Sequence, residues 1–408
     1  MQLAVDHSTK TIASKLVITG SKSETNRLLL LQALYPQLTI ENASNSDDSI
    51  AMTKALGSNV ELKDIHHAGT AMRFLTAYFA TKKDSSIILT GSKRMQERPI
   101  GLLVDALNSL GASITYDQKQ GYPPLRIKGK QLEGGEVSLP ANISSQYISA
   151  LLLIAPKLTK GLVIHLEGEI TSLPYIKMTL ALLERIGIST TFDGTSIRVP
   201  YQADIVPQKQ IVESDWSSAS YWFSSLALCM EGELTLSSYR KDSLQGDRVL
   251  LDIYQKLGVE SYFGAEGLQL KKVKGFVLPS RLELDLVEAP DIAQTIAVSC
   301  YGLGVECILT GLHTLKIKET DRLLALEKEL GKLGATITVT NDSLHLSPVQ
   351  NFQKGQAIDT YHDHRMAMAF APLGLKIPLE VNDADVVTKS YPSFWEDMQH
   401  AGFQIVEK

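Results

Sequence analysis

One pattern recurs along the chain and constrains its fold more than any other feature: an amphipathic helix, a glycine, a short strand, a turn and a second strand. The helix is clearest where Leu323, Leu326 and Leu330 recur on one helical face. Gly334 follows soon after, and a glycine there favours the end of a helix because it adopts the left-handed conformation at little cost. Corresponding glycines stand at positions 57, 111, 187, 258, 334 and 402.

These glycines divide the chain into six similar segments of about 70 residues, which is too long for a common solenoid repeat. The pattern predicts an α/β (α+β) protein of six folding units, grouped three and three in two similar domains. The first unit is shorter than the others, because Gly57 is followed closely by the next motif at Gly69. We expect that unit to lack the two-stranded hairpin of the others.

The composition excludes several classes of protein. With 40 basic and 45 acidic residues the net charge is −5, whereas a general nucleic-acid binder is usually basic. The longest apolar stretch is far shorter than the roughly 20 residues that span a bilayer, and residues 1–11 lack the apolar core of a signal peptide. Cys229, Cys300 and Cys307 lie in apolar contexts without the spacing of a metal or redox motif. We expect a monomer in a reducing cytoplasm, with no membrane or nucleic-acid partner.

In the first half of the chain, most predicted helices begin with small or hydroxyl residues near a cation. Lys22, Ser23 and Arg27 follow Gly20, and the segment Ala68–Arg73 opens another helix. Free N–H groups at a helix N-terminus, with a lysine and a hydroxyl nearby, form a site for an anion. Taken alone, each motif is also compatible with a capped helix start or a surface ion pair. Further candidates of this kind are Gly69, Arg98, Ser144, Ser145, Gln146 and Ser172.

The second half carries denser charged motifs. Lys318 and Arg322 are four residues apart, so on a helix they would share a face and favour an anion between them. A solvated charged turn is the alternative for this segment. Asp291 follows a proline at a predicted helix start, where a cap is the simpler interpretation. Other charged candidates are Glu319, Arg365 and Lys389, while Glu213 is interpreted as part of a helix start at a domain junction.

No single motif identifies a ligand, but their repetition narrows the choice. Many helix N-termini and cations directed at one crevice would create a strongly positive site on an acidic chain. The substrates should therefore be small and carry several negative charges. The chain has no Walker loop and no dinucleotide fingerprint. His362 and His364 lack a third ligand at a suitable spacing, so we expect no metal.

Five motifs taken together carry a specific resemblance: Gly20–Arg27, Ala68–Arg73, Glu97–Pro99, Lys318–Arg322 and Asp363–Met368. In this order, over nearly the whole chain, they closely resemble the 5-enolpyruvylshikimate-3-phosphate synthase family. The resemblance implies the enolpyruvyl transferase fold, an inside-out α/β barrel of two similar domains with three βαβαββ units each. It implies one domain at 20–213, with the shortened unit first, and another formed by 1–19 and 214–408.

The resemblance also implies a reaction of the shikimate pathway. A transferase of this family moves the enolpyruvyl group of phosphoenolpyruvate to the 5-hydroxyl of shikimate 3-phosphate and releases phosphate, without a cofactor. Glu319 would protonate the vinyl carbon and Asp291 would take the hydroxyl proton, with Lys22 assisting both transfers. Shikimate 3-phosphate would contact Lys22, Ser23, Arg27, Ser144, Ser145, Ser172, Asp291 and Lys318. Phosphoenolpyruvate would contact Lys22, Gly69, Arg98, Gln146, Arg322, Arg365 and Lys389.

Three residues depart from the family's pattern: His67 and Thr314 replace asparagines, and Phe74 replaces a proline. None of these changes removes a charged catalytic residue. Two other functions stay open. The UDP-N-acetylglucosamine enolpyruvyl transferase shares the fold, but it has Lys-Asn in place of Lys22-Ser23 and a reactive cysteine. A non-catalytic anion-binding protein on the same scaffold would have lost an acid or several cations.

Overall fold

The computed structural model describes residues 1–142, 144–168, 170, 173–348 and 351–408. The strands are β1 (Leu3–Asp6), β2 (Thr11–Leu16), β3 (Leu38–Glu41), β4 (Leu62–Asp64), β5 (Ser86–Thr90), β6 (Ser113–Tyr116), β7 (Leu125–Lys128), β8 (Gly135–Pro140), β9 (Leu162–Glu167), β10 (Thr191–Phe192), β11 (Ser196–Val199), β12 (Gln208–Ile211), β13 (Glu231–Leu236), β14 (Val259–Gly264), β15 (Gly267–Lys272), β16 (Arg281–Asp285), β17 (Glu306–Thr310), β18 (Ile337–Val339), β19 (Leu344–Leu346), β20 (Ala357–Ile358), β21 (Leu379–Val381) and β22 (Gln404–Glu407).

The α-helices are α1 (Lys22–Leu34), α2 (Asp47–Gly57), α3 (Gly69–Thr81), α4 (Lys93–Gln96), α5 (Gly101–Ser109), α6 (Ser145–Ile154), α7 (Leu173–Arg185), α8 (Trp216–Leu228), α9 (Leu250–Gln255), α10 (Ala293–Leu303), α11 (Arg322–Lys332), α12 (His364–Phe370) and α13 (Phe394–His400). Short 3-10 turns lie between them, at Ala155–Lys157, Gly246–Val249, Pro290–Ile292, His313–Ile317, Ala371–Leu375 and Ala384–Lys389.

The described residues form six sheets, and five of them share one topology. In the sheet β16-β17-β19-β18, for example, β16 and β17 are parallel, and the hairpin β18–β19 pairs antiparallel with β17. The same arrangement is found in β4-β5-β7-β6, β8-β9-β11-β10, β2-β13-β15-β14 and β20-β21-β1-β22. The sixth sheet consists of the parallel strands β3 and β12, without a hairpin. The α/β class predicted from the repeat is confirmed.

The chain divides into two compact units, Gly20–Val212 and Met1–Thr19 together with Glu213–Lys408. In the first unit, β12 near the end of the segment lies parallel to β3 near its beginning. In the second unit, the N-terminal segment supplies two strands. Strand β2 pairs with β13, and β1 lies between β21 and β22. The last hairpin of this unit is therefore formed by strands from opposite ends of the chain.

The core of each unit is built on helices that are buried on all sides. In the first unit, α3 is buried from Gly69 to Ala80 and packs against α6. In the second, α8 and α10 are buried almost throughout and pack against each other. Serines on the two helices bond to each other inside the core, where Ser299 Oγ donates to Ser224 Oγ at 2.8 Å. Strands such as β11 and β15 alternate buried and less buried residues, as expected for sheets with one covered face.

The repeated glycines act mainly as helix terminators. Gly334 follows α11 with a φ of 92°, a conformation that a side chain would strain. Positive φ also occurs at the equivalent glycines 111, 187, 258 and 402. Gly57 differs, since it is itself the last residue of α2.

Within the described ranges, no helix is both long and apolar enough to cross a membrane. The same residues contain no group of three or more His, Cys, Asp or Glu side chains placed to hold a metal ion. All three cysteines are buried free thiols.

Candidate active site

Arg322 is the centre of a buried ionic cluster in the unit formed by Met1–Thr19 and Glu213–Lys408. Its guanidinium group is 2% exposed and contacts three carboxylates from three different segments. Nε donates to Asp363 Oδ2 at 2.6 Å, Nη1 to Asp291 Oδ1 at 2.9 Å, and Nη2 to Glu319 Oε2 at 2.8 Å. The planar fork of an arginine suits such multiple carboxylate contacts better than a lysine would.

Three further cations lie against the same carboxylates. Lys389 Nζ donates to Glu319 Oε1 at 2.5 Å. Arg365 Nη2 lies 3.2 Å from Asp291 Oδ2, and Lys318 Nζ lies 3.4 Å from Asp291 Oδ1. We call the seven residues the Arg322 cluster; they are Asp291, Lys318, Glu319, Arg322, Asp363, Arg365 and Lys389.

Local structure explains how these side chains converge. Asp321 caps α11 by accepting from Leu324 N at 3.2 Å, so the helix begins only at Arg322. The prediction that Lys318 and Arg322 share a helical face is therefore wrong, because Lys318 precedes the helix. The two side chains nevertheless meet at Asp291, since the turn before the helix folds back on Pro290–Ile292. Asp363 is both the cap of α12 and a partner of Arg322.

The cluster sets the protonation state of Asp291. Burial acts to raise the pKa of this carboxyl, but Arg365, Lys318 and Arg322 outweigh it and hold the pKa well below its ordinary range. The carboxylates in turn raise the pKa of Arg322 above its usual value, although burial opposes this. Asp291 is therefore ionised across the whole range in which enzymes usually work.

Arg27 is a buried cation of the unit Gly20–Val212. Its Nε donates to Thr179 Oγ1 at 2.8 Å and its Nη2 to Ser149 Oγ at 3.0 Å, while Nη1 donates to the carbonyl of Ser23 at 2.8 Å. These are neutral oxygens, and burial lowers the pKa of Arg27 to about 10. The guanidinium also lies 5.4 Å from the ring centre of Phe74. An anionic ligand would therefore relieve a buried positive charge here.

Lys22 is the first residue of α1 and has a partner that the sequence did not indicate. Its Nζ lies 3.5 Å from Asp48 Oδ2, and Asp48 is almost completely buried in the first turn of α2. The contact bridges two helices that pack together. The only signal in the sequence was the acidic pair Asp47-Asp48 at a helix start, which is ordinary for that position.

The other predicted residues of this unit form a second group at the starts of α3 and α6. Gln146 Nε2 donates to Thr70 Oγ1 at 3.2 Å, which ties the two helix starts together. A Cβ placed on Gly69 would lie 2.6 Å from Arg98 Nη1, so the guanidinium passes directly over the glycine. Ser144 is the cap residue of α6 and Ser145 its first residue. The predicted residue Ser172 lies outside the described residues.

Two of the three residues that depart from the family's pattern, His67 and Phe74, have identifiable contacts. His67 Nδ1 and Ser92 Oγ are 2.8 Å apart, so the histidine is held against the start of α4. Phe74 is fully buried in α3 and contributes to the surroundings of Arg27. Thr314 Oγ1 is buried and forms no hydrogen bond with the described residues.

Comparison with known proteins identifies the family of the chain. The sequence model of the family EPSP synthase (3-phosphoshikimate 1-carboxyvinyltransferase) matches residues 57–398. A 3-phosphoshikimate 1-carboxyvinyltransferase of Bacteroides fragilis is 44% identical over 401 residues, covering 97% of this chain and 96% of that protein. One from Haemophilus influenzae is 36% identical over 414 residues, covering 93% and 94%.

The structural comparison extends the likeness to the fold. The EPSP synthase of Acinetobacter baumannii superimposes with a TM-score of 0.81 at 21% identity, with full coverage of both chains. The family model and the curated relatives show that the protein is a transferase. The chain belongs to the EPSP synthase (3-phosphoshikimate 1-carboxyvinyltransferase) family.

Proposed function

We propose that this chain transfers the enolpyruvyl group of phosphoenolpyruvate to the 5-hydroxyl of shikimate 3-phosphate. The hydroxyl oxygen bonds to C2 of phosphoenolpyruvate while C3 gains a proton. In the second step, the methyl group at C3 loses a proton and inorganic phosphate leaves C2. This elimination restores the vinyl group. Both substrates are small and carry several negative charges, as the cation-rich helix starts require.

The observation that carries this proposal is that Arg322 holds two candidate proton-transfer groups on one guanidinium. Asp291 and Glu319 accept from different nitrogens of Arg322, at 2.9 and 2.8 Å. The addition needs an acid for C3 and a base for the hydroxyl, and two carboxylates in different surroundings can divide these tasks. We assign the base to Asp291 and the acid to Glu319. Lys389, 2.5 Å from Glu319, holds this carboxyl group in place.

The low pKa of Asp291 fits a base that becomes effective only after substrates bind. Without substrate, Arg365, Lys318 and Arg322 stabilise its charged form. A phosphate or carboxylate bound to these cations would offset their charge and raise the pKa of Asp291 toward a useful value. The same cations would stabilise negative charge that develops on the transferring group. Substrate binding would thereby prepare the base for proton transfer.

The remaining residues are proposed as binding groups. Lys22 would assist both proton transfers, and Asp48 would orient its ammonium group. For shikimate 3-phosphate we propose Lys22, Ser23, Arg27, Ser144, Ser145, Ser172, Asp291 and Lys318. For phosphoenolpyruvate we propose Lys22, Gly69, Arg98, Gln146, Arg322, Arg365 and Lys389.

Two substitutions that keep side-chain shape test the assignment of acid and base. In Glu319→Gln and Asp291→Asn, we expect kcat to fall by a factor of about 10²–10⁴, because each loses a proton-transfer group. Glu288→Gln is the matched control, since it neutralises an exposed carboxylate three residues before Asp291. Phosphate release from both substrates is the measurement, with circular dichroism to establish folding. Turnover within a few-fold of wild type in either variant would remove that residue from its role.

A further inference from the structure

Asp247 is a buried carboxylate that the proposed reaction does not yet use. It lies in the short turn Gly246–Val249 and is 6% exposed. Its Oδ2 accepts a short hydrogen bond from Ser217 Oγ, in the first turn of α8. Ser217 Oγ in turn accepts from Arg365 Nη2 at 3.2 Å, and the same nitrogen donates to Asp291 Oδ2 at 3.2 Å. A chain of hydrogen bonds thus links Asp247 to the proposed base.

We propose that Asp247 is a positioning residue for the proposed carboxyvinyl transfer: its carboxylate fixes the Ser217 hydroxyl as an acceptor for Arg365 and so orients that guanidinium beside Asp291. The inference rests on the proposed function, because it gives Arg365 a role in binding phosphoenolpyruvate.

The orientation of Arg365 depends on where the single hydrogen of the Ser217 hydroxyl points. When Asp247 is ionised, it can only accept, so Ser217 donates to it and directs its lone pairs toward Arg365. When Asp247 is protonated, the neutral acid either accepts a weaker hydrogen bond from Ser217 or donates to it, and the serine hydrogen is then free to turn toward Arg365, which is itself a donor. Ionised Asp247 therefore holds Ser217 Oγ as an acceptor for Arg365, and protonation removes this restraint on the hydrogen.

The surrounding hydrogen bonds hold Asp247 at this position. Gln245 Nε2 donates to the carbonyl of Ser214 at 2.9 Å, and Trp216 N donates to Gln245 Oε1 at 2.9 Å. These bonds attach the turn that carries Asp247 to the N-terminus of α8, where Ser217 lies. A side chain that only filled space would not need to place a carboxylate at the end of the hydrogen-bond series that leads through Ser217 and Arg365 to Asp291.

The charge of Asp247 changes within a useful pH range. Burial raises its pKa to about 6, with Arg365 and Ser217 acting to lower it and Asp291 and Asp215 acting to raise it. These groups come from α12, from the first turn of α8, from the Pro290–Ile292 turn and from the cap of α8. Near pH 7.5 Asp247 is ionised and orders Arg365, whereas below about pH 6 it becomes protonated and the restraint is lost.

The test compares Ser217→Ala, Asp247→Asn, the double variant and the control Asp252→Asn. Asp252 is an exposed carboxylate in α9, so its loss gives the same change of charge without a buried contact. The KM for phosphoenolpyruvate and kcat are measured between pH 5.5 and 8 with shikimate 3-phosphate saturating. Unfolding midpoints establish that each variant folds.

We expect Ser217→Ala to raise the KM for phosphoenolpyruvate about tenfold at pH 7.5, with kcat within about threefold of wild type. The double variant should behave as Ser217→Ala alone, because Asp247 acts through the serine. The wild-type KM should rise below pH 6 more steeply than that of Asp247→Asn. Protonation of the substrates affects both proteins equally, so the difference between their pH profiles of KM reflects titration of the enzyme.

Two results would overturn the inference. Additive effects of the two substitutions would show that Asp247 does not act through Ser217, and identical pH dependence of KM in wild type and Asp247→Asn would show that its charge has no role. If Asp247→Asn does not fold, the comparison of Ser217→Ala with wild type across the same pH range decides, since this variant should also lose the steep rise. No turnover by the wild type would instead refute the proposed function.

Discussion

Replacing Asp247 with asparagine is expected to stabilise the unit that contains it at neutral pH, while harming the reaction. The pKa of Asp247 is about 6 in the folded chain, against an ordinary value of 3.8. Between these values the folded chain binds a proton that the unfolded chain has released, so this group's contribution to stability falls as pH rises from about 4 to about 6. At about 1.4 kcal/mol per pKa unit, the cost above pH 6 is about 3 kcal/mol.

Asparagine has a similar shape and does not titrate, so it avoids this cost. We expect Asp247→Asn to increase the free energy of unfolding by about 3 kcal/mol at pH 7.5 and by only about 1 kcal/mol at pH 4.5. Urea unfolding at the two pH values measures the difference, with Asp252→Asn as the control that should shift by less than about 0.5 kcal/mol at either pH. An equal gain at both pH values, or a loss at pH 7.5, would refute the reasoning. Residues that serve function often lower the stability of the folded protein, as this buried carboxylate does.

Two further pairs of variants test the Arg322 cluster and the close contact between Gly69 and Arg98. Arg322→Gln should destabilise the chain by about 3–5 kcal/mol, because it leaves buried carboxylates facing one another, whereas Arg281→Gln breaks half-exposed pairs and should cost less than about 1 kcal/mol in the same urea titration. Equal losses of unfolding free energy in the two variants would contradict the claim that burial makes the Arg322 contacts more important than the exposed ones. Gly69→Ala should raise the KM for phosphoenolpyruvate about tenfold by displacing Arg98, while Gly57→Ala, with nothing within 4 Å, should leave KM unchanged. An unchanged KM in both would show that Arg98 can move without loss.

The fold was accessible from the sequence because its causes are local and repeated. Leucines on one helical face and a glycine after them predict where a repeated helix such as α11 ends, and the left-handed φ of Gly334 follows from that pattern. The short interval after Gly57 indicated a unit without a hairpin. What the sequence could not predict was which strands meet, such as β1 between β21 and β22, since these contacts join opposite ends of the chain.

The candidate site was accessible only in part. Charged residues at helix starts indicated an anion site, but their partners lie far away in sequence, as Asp48 does from Lys22. The helical-face argument for Lys318 and Arg322 failed because Asp321 is a good cap, and a cap residue lies outside the helix it begins. Asp247 carried no signal at all, because an aspartate after a glycine is ordinary in a turn. Its importance depends on burial beside Ser217 and Arg365.

The measurement that tests the central claim most directly is phosphate release by the purified chain with phosphoenolpyruvate and each of two acceptors, without added metal. We expect release with shikimate 3-phosphate and none with UDP-N-acetylglucosamine. In D₂O the product should also carry deuterium in its vinyl methylene, because C3 gains and loses a proton during the transfer. Release with UDP-N-acetylglucosamine alone, or with neither acceptor from a folded chain, would contradict the claim.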